Sequence, residues 1–129
     1  MQRAEANNYY PHLMASKLAV DGSSAATTTL DFIAGATLAT HTPIFAIITY
    51  SSGTLAPCVV KIRADSVDLS AAAVALTTLD ATTAKLIVSL TGSVSAFTND
   101  PGGVMNVVVG TPSTIASEFN IYIYGIELN

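Results

Sequence analysis

Imidazole and thiol groups are the side chains best suited to catalysis or metal binding, and this sequence has few of them. Its 129 residues include two histidines, His12 and His41, and one cysteine, Cys58. Catalytic and metal sites need several such groups to converge, whereas His41 stands in a Thr- and Pro-containing loop and His12 follows Tyr-Tyr-Pro. Cys58 has apolar neighbours and nothing in the local sequence that would activate its thiolate. We therefore predict no catalytic residue, no metal site and no cofactor.

Short motifs that mark common enzyme classes are also missing. The sequence has no G-x-S-x-G nucleophile elbow, no H-E-x-x-H zinc helix and no glycine-rich phosphate or dinucleotide loop. Asp65 and Asp68 lie close together, but calcium loops are denser in oxygen ligands, and turn formation or helix capping explains both acids more simply. We predict that the protein is not an enzyme. An enzyme would need a cleft where His41 and carboxylates converge.

The composition is unusually apolar for a soluble protein. Half of the residues are hydrophobic and 11% are charged, against about a quarter charged in a typical soluble domain. The mean hydropathy is +0.52, yet the longest aliphatic and aromatic run, 44–48, is far shorter than the roughly 20 residues of a membrane-spanning helix. Apolar surface that meets neither lipid nor water is usually covered by another protein chain. We therefore expect a subunit of an assembly with no membrane partner.

The charge distribution argues against a nucleic acid partner. The formal net charge is −4, with nine acidic and five basic residues, and the basic residues are dispersed along the sequence. Nucleic-acid binding usually leaves a basic cluster or stripe. The N-terminal residues lack the apolar region of a secretory signal, so we expect synthesis and folding in a cytoplasm.

Short strands dominate the sequence after residue 26. Runs rich in Thr, Val, Ile, Ala and Tyr are separated there by Gly, Pro and Ser turns. Residues 59–65 alternate between polar and apolar and predict a strand with one wet face, whereas 44–50 are apolar on both faces. The segment 66–84 is ambiguous between a short helix and a loop. Six or seven strands predict an all-β antiparallel sandwich, and without a Cys–Trp–Cys framework we favour a jelly roll over an immunoglobulin-like Greek key.

Residues 1–26 differ from the rest and are predicted to form an N-terminal arm. Pro11 suits the first position of a helical turn, and a turn follows at 21–24. The predicted organisation is therefore an arm over residues 1–26 and a single β-sandwich domain over 27–129, with at most one or two short helices. Four arm residues that suit interface packing are Tyr9, Tyr10, Pro11 and His12.

The last predicted strand is apolar on both faces. Phe119, Ile121 and Ile123 share one face. The other face carries two tyrosines and two aliphatic residues, namely Tyr122, Tyr124, Ile126 and Leu128. A strand covered on both sides must meet the core with one face and another surface with the other, and tyrosine suits such an interface. The alternative is that Gly125 marks a bulge that shifts the register, with Tyr122 at a sheet edge.

The short polar arm, the Ala/Thr/Val-rich sandwich and the aromatic last strand together resemble the small virion proteins of tailed phages. In particular, the chain looks like head decoration, or cement, proteins, many of which are compact β domains that brace the capsid lattice as oligomers, often trimers. The resemblance implies a homo-oligomer, with a trimer favoured, that is made in the host cytoplasm and binds the major capsid protein at the capsid surface of the virion. The implied contact regions are the segment 9–12 and the strand 119–128.

Two other virion roles remain open on the sequence. A receptor- or glycan-binding tip of a tail fibre would share the β-rich trimeric build and should carry exposed aromatic or acidic loops at one pole. A minor coat subunit would share the composition, although 129 residues are few for a shell-forming protein.

Overall fold

The structure, a computed structural model, describes residues 10–65, 67–70, 73–90 and 102–127, and these residues form an all-β domain. They contain ten strands and no helix. The strands are β1 (His12–Asp21), β2 (Thr27–Thr29), β3 (Asp31–Phe32), β4 (His41–Gly53), β5 (Val59–Ala64), β6 (Val67–Asp68), β7 (Val74–Ala75), β8 (Lys85–Ser89), β9 (Met105–Thr111) and β10 (Ser117–Glu127).

The strands form two antiparallel sheets that enclose one apolar core. Sheet A has the order β3-β1-β10-β4-β8, and sheet B has the order β2-β9-β5-β6, with β7 also paired to β5. The largest fully buried side chains come from both sheets and from the loops between them. They include Met14, Leu38, Ile48, Leu55, Ile62, Met105, Phe119, Ile121 and Ile123. This arrangement confirms the predicted antiparallel β-sandwich.

The pairing order identifies the sandwich as a jelly roll. Setting aside the two-residue β3, and counting β6 and β7 as one strand because both pair with β5, eight strands remain. The first pairs with the last (β1 with β10), the second with the seventh (β2 with β9), the third with the sixth (β4 with β8) and the fourth with the fifth. Such nested pairing arises when one long hairpin folds over on itself, which is the jelly-roll topology that the sequence favoured.

The N-terminal part of the sandwich corrects the predicted arm over residues 1–26. His12–Asp21 form a ten-residue strand between β3 and β10, with no helical turn after Pro11. Its register against β10 is irregular between Leu13 and Ala15 and again between Lys17 and Val20. Because each bulge shifts the alternation of side chains by one residue, the period-two pattern of a strand is hidden in the sequence here. Residues 1–9 lie outside the described residues.

The ambiguous segment 66–84 contains two short strands in its described residues, β6 and β7, and both lie on one edge of β5. Leu69 and Leu76 are both buried in the core. The backbone N–H of Leu69 donates to the carbonyl of Ile62, and that of Leu76 to the carbonyl of Cys58. The two leucines are therefore separate anchors of an irregular segment on sheet B.

The outer face of sheet B meets water, as the alternation in 59–65 predicts. Val60, Ile62 and Ala64 are fully buried, whereas Lys61 is exposed and Arg63 half-buried. Both cations approach Asp68 of β6, with Arg63 Nε at 2.8 Å and Lys61 Nζ at 3.6 Å from its carboxylate oxygens. Sheet B thus presents a charged face to solvent.

Candidate functional site

The centre of the outer face of sheet A is apolar, in contrast to the outer face of sheet B. It is built around β10, where Phe119, Ile121 and Ile123 are fully buried. The alternate residues Tyr122, Tyr124 and Ile126 are half-buried and point away from the core. The predicted division of this strand into a core face and a second apolar face is therefore confirmed.

Strand β4 extends the aromatic surface of β10. In the register of the two strands, Phe45 lies opposite Tyr124 and Ile47 opposite Tyr122. The rings of Phe45 and Tyr124 are stacked, with centroids 5.0 Å apart and planes 8° from parallel. A stacked pair on two long central strands holds both rings in place, so the surface is already ordered before any partner binds.

The flanking strands β1 and β8 widen this surface. Leu13 of β1 lies opposite Tyr124, and Ile87 of β8 lies opposite Ile47. Ile87 is 62% exposed, and Leu18, in the second irregular stretch of β1, is 60% exposed. We call the resulting surface the sheet A face. It consists of Leu13, Leu18, Phe45, Ile47, Ile87, Tyr122, Tyr124 and Ile126.

A row of polar side chains borders the sheet A face. Asn120 accepts a hydrogen bond from the backbone N–H of Ala19 at 2.9 Å and donates to Thr49 Oγ1 at 3.1 Å. It thereby fixes the irregular stretch of β1 that exposes Leu18. Lys85 lies opposite Thr49 at the same border. Asn120 and Thr49 are thus hydrogen-bonded within the protein, while the apolar side chains beside them remain open to a partner.

Only part of the predicted interface set lies on this surface. Tyr122, Tyr124 and Ile126 lie together on it, whereas Tyr10 and Pro11 are exposed just before β1, and His12 begins β1 opposite Gly125. Tyr9 and Leu128 lie outside the described residues. The sequence reading missed Phe45, Ile47 and Ile87. The run 44–50, apolar on both faces, was the signal for the first two, but only the strand register aligns them with the tyrosines.

The alternative explanation of the last strand, a bulge at Gly125 with Tyr122 at a sheet edge, is right about the bulge and wrong about the edge. The register between β10 and β4 is irregular between Tyr124 and Gly125, as a bulge would require. A Cβ at Gly125 would contact Met14 Sδ and lie 2.6 Å from the carbonyl oxygen of Thr42, so close strand packing requires glycine there. However, β10 lies in the middle of sheet A, so Tyr122 is not at a sheet edge.

The two histidines lie at the same end of sheet A. His41 is the first residue of β4, not part of the preceding loop, and it pairs with Glu127. Its Nδ1 lies 2.8 Å from Thr40 Oγ1. Burial lowers the pKa of His41, the nearby charge of His12 adds to that effect, and Glu127 opposes it. In the described residues no three His, Cys, Asp or Glu side chains are placed to hold a metal ion.

Cys58 and a pair of serines lie near one another in the interior. Burial raises the pKa of the Cys58 thiol to about 11, with a smaller contribution from the charge on Asp21, so the nucleophilic thiolate is scarce at neutral pH. Ser113 and Ser117 have hydroxyls 2.8 Å apart, and Ser113 Oγ also donates to backbone carbonyl oxygens. These groups close the loop between β9 and β10 and contact no imidazole base in the structure described.

An open cleft of about 450 Å³ separates the edges of the two sheets at β7 and β8. Its lining is mainly apolar and consists of Ser70, 73–75 and 86–89. Ligand sites for small polar molecules combine apolar walls with a few convergent polar groups, and this cleft has serine hydroxyls but no charged side chain in its lining. It is better suited to a backbone or an apolar side chain than to a sugar.

No family model matches this chain, and no match was found among curated proteins or solved structures. In the ranges that the structure describes, no helix has the length and apolar character needed to span a bilayer. The sheet A face is therefore the feature on which a functional proposal rests.

Proposed function

We propose that this chain is a structural virion subunit of the capsid decoration, or cement, type, which binds a lattice of major capsid protein through the sheet A face. The observation that carries the proposal is the contrast between the two outer faces. One presents eight apolar or aromatic side chains across β1, β10, β4 and β8. The other presents the Lys61, Arg63 and Asp68 cluster to water.

The sheet A face has the chemistry of a protein interface core. Such cores are depleted in charge and enriched in tyrosine and phenylalanine, and burying apolar surface contributes about 25 cal/mol per Å². Because all of these side chains except Ile87 stand on strands of ten or more residues in the interior of the sheet, little conformational entropy remains to be lost on binding.

The jelly roll suits a mechanical role. A cement subunit must transmit load between neighbouring capsid proteins, which favours a rigid sandwich over a mobile linker, and many moderate contacts across a lattice add through avidity. We retain the homo-oligomer, with a trimer favoured, as part of this proposal because the resemblance to decoration proteins implies it. Phe45, Tyr122 and Tyr124 lie on a sheet face and not in a loop, which favours decoration over a receptor-binding tip.

Cosedimentation with capsid shells of the encoding virus, prepared without this protein, tests the proposal. Wild type should bind to saturation. Tyr122→Asp places a carboxylate in the sheet A face and should raise the Kd by about tenfold or more. Thr27→Asp, at an exposed position of β2 in sheet B, is the matched control and should bind as wild type does.

Two results would contradict the proposal at different points. If wild type fails to bind the shells, the decoration role is wrong. If Tyr122→Asp binds as tightly as Thr27→Asp, the role stands but the sheet A face is not the docking surface. Circular dichroism and thermal unfolding of each variant establish that both are folded.

A further inference from the structure

Ala19 of β1 holds a backbone conformation that alanine seldom adopts. Its φ is +54°, in the left-handed region, where a Cβ crowds the backbone and where glycine, asparagine and aspartate are the usual residues. The other non-glycine residue with a positive φ in the described part of the chain is Asp65, whose residue type suits that region. Ala19 has no such side chain, so its surroundings must impose the conformation.

A bulge in β1 imposes this conformation on Ala19. Two residues of β1, Leu18 and Ala19, face a single residue of β10, Asn120. Bulges that use left-handed backbone normally carry glycine there. Here the Asn120 side chain accepts a hydrogen bond from the Ala19 N–H at 2.9 Å and donates one to Thr49 Oγ1 at 3.1 Å. Because Thr49 lies on β4, the two central strands of sheet A together hold the bulge.

The bulge separates Leu18 from the core. Residues two apart share one face in a regular strand, yet Val20 is 4% exposed and lies in the core, whereas Leu18 is 60% exposed. The preceding charge is directed elsewhere, since the Lys17 ammonium group lies 3.3 Å from Asp31 of β3, on the opposite side of β1 from β10. Leu18 is therefore an apolar side chain that the backbone itself turns outward.

We infer that Leu18 inserts into an apolar pocket of the major capsid protein and that Asn120 is the residue that positions it. This inference rests on the proposed function, of which it specifies one contact. Strained backbone that its surroundings hold in place is typical of binding sites, and a leucine that is mostly exposed has the most apolar surface left to bury. Ile87 is 62% exposed, but its strand pairs with β4 in regular register and its φ is not positive.

The rest of the sheet A face supplies the surroundings that such a contact needs. The side chains that dominate interfaces fill pockets of the partner, and weaker contacts around them exclude water. Phe45, Tyr122 and Tyr124 are half-buried on β4 and β10, so they present a broad surface for those weaker contacts. Leu18 projects from the adjacent strand, and its bulge is already formed before binding, which limits the loss of conformational entropy.

Cosedimentation with capsid shells tests the role of Leu18. Leu18→Ala removes most of the exposed apolar side chain and should raise the Kd by about tenfold or more. Ile115→Ala is the matched control, because Ile115 is 57% exposed in the loop between β9 and β10, outside the sheet A face, and it should bind as wild type does. If wild type does not bind the shells, the decoration role and the Leu18 contact are both wrong. If wild type binds and Leu18→Ala binds equally tightly, the Leu18 contact alone is wrong.

A rescue experiment tests the positioning role of Asn120. Asn120→Ala removes the acceptor of the Ala19 N–H and should raise the Kd for capsid shells by about tenfold. Ala19→Gly, added to Asn120→Ala, lets the bulge form without that acceptor, because glycine adopts a positive φ readily. The double variant should return to within about threefold of the wild-type Kd. If Ala19→Gly restores no binding, Asn120 acts by contacting the partner itself, and the positioning role is wrong.

Amide hydrogen exchange of the isolated chain provides a readout that needs no capsid. The Ala19 amide should exchange about tenfold or more faster in Asn120→Ala than in wild type, since its hydrogen-bond acceptor is gone. The amide of Ile48, in the buried centre of β4, should exchange equally in both proteins and so shows that the fold is intact. An Ala19 amide that exchanges at the same rate in both proteins would overturn the positioning role.

Discussion

Gly53 occupies a position of the sandwich where no side chain can be accommodated. It ends β4 with a φ of +76°, and a Cβ there would meet the carbonyl oxygen of Ala116 and lie 2.7 Å from Ser117 Cα. The left-handed backbone and the crowding by another strand both exclude a side chain. Gly110 in β9 differs on both counts, since its φ is not positive and a Cβ would meet nothing within 4 Å.

Replacing each of these two glycines by alanine tests whether Gly53 is required for its backbone conformation. Gly53→Ala should lower the free energy of unfolding by about 1–3 kcal/mol or more, because it combines an unfavourable φ with a backbone clash. Gly110→Ala should change it by less than about 1 kcal/mol, since glycine in an open strand position has only its chain entropy to lose. Urea unfolding measures both. Equal effects would mean that Gly53 is not conformationally required.

At the scale of the element, β10 packs one row of side chains into the core and contributes the alternate row to the sheet A face. Ile121 is fully buried, and Tyr122 beside it is half-buried. The strand pairs with β1 on one side and β4 on the other, so its backbone is committed and only its outer side chains remain for a partner.

Alanine substitutions should resolve the two faces of β10. Ile121→Ala should cost about 2–5 kcal/mol of stability, as large-to-small changes in a core do. Tyr122→Ala should cost clearly less stability but weaken binding to capsid shells. Chemical unfolding and cosedimentation, run on the same two variants, provide the comparison. A stability loss at Tyr122 equal to that at Ile121 would show that the sheet A face is covered within the protomer itself.

For the whole molecule, the decisive feature is that the centre of the outer face of sheet A carries no charge. The charged residues of sheet A lie towards its β3 edge, where Lys17 and Asp31 form an ion pair at 3.3 Å, and at the ends of β10. The Lys61, Arg63 and Asp68 cluster lies on sheet B, while Lys85 is a border residue of the sheet A face. The charged groups are thereby kept apart from the proposed docking surface, which allows an unusually apolar composition to remain compatible with an ordered subunit.

The dependence of capsid-shell binding on salt concentration distinguishes docking through the sheet A face from docking through the charged face of sheet B. Contacts between exposed charges weaken as the Debye length falls from about 10 Å at 0.1 M salt to about 3 Å at 1 M, whereas burial of apolar surface does not. Binding to capsid shells through the sheet A face should therefore change by less than about threefold over that range, measured by cosedimentation. A steep loss of binding with salt would instead implicate the charged face of sheet B.

The sequence by itself determined the features that depend on local alternation. The core face and second face of β10, the wet face of β5 and the all-β class follow from period two, because each residue of a regular strand reaches its side through the backbone alone. β1 was not predicted as a strand, because its two irregular stretches interrupt the alternation of side chains that identifies one.

Only the tertiary structure decided which strands are neighbours and in what register. Phe45 and Ile87 are more than thirty residues from the tyrosines in sequence, yet pairing through β4 places them on one surface. Such pairings are selected by the burial of a shared core across distant segments, and that free energy is a property of the folded whole.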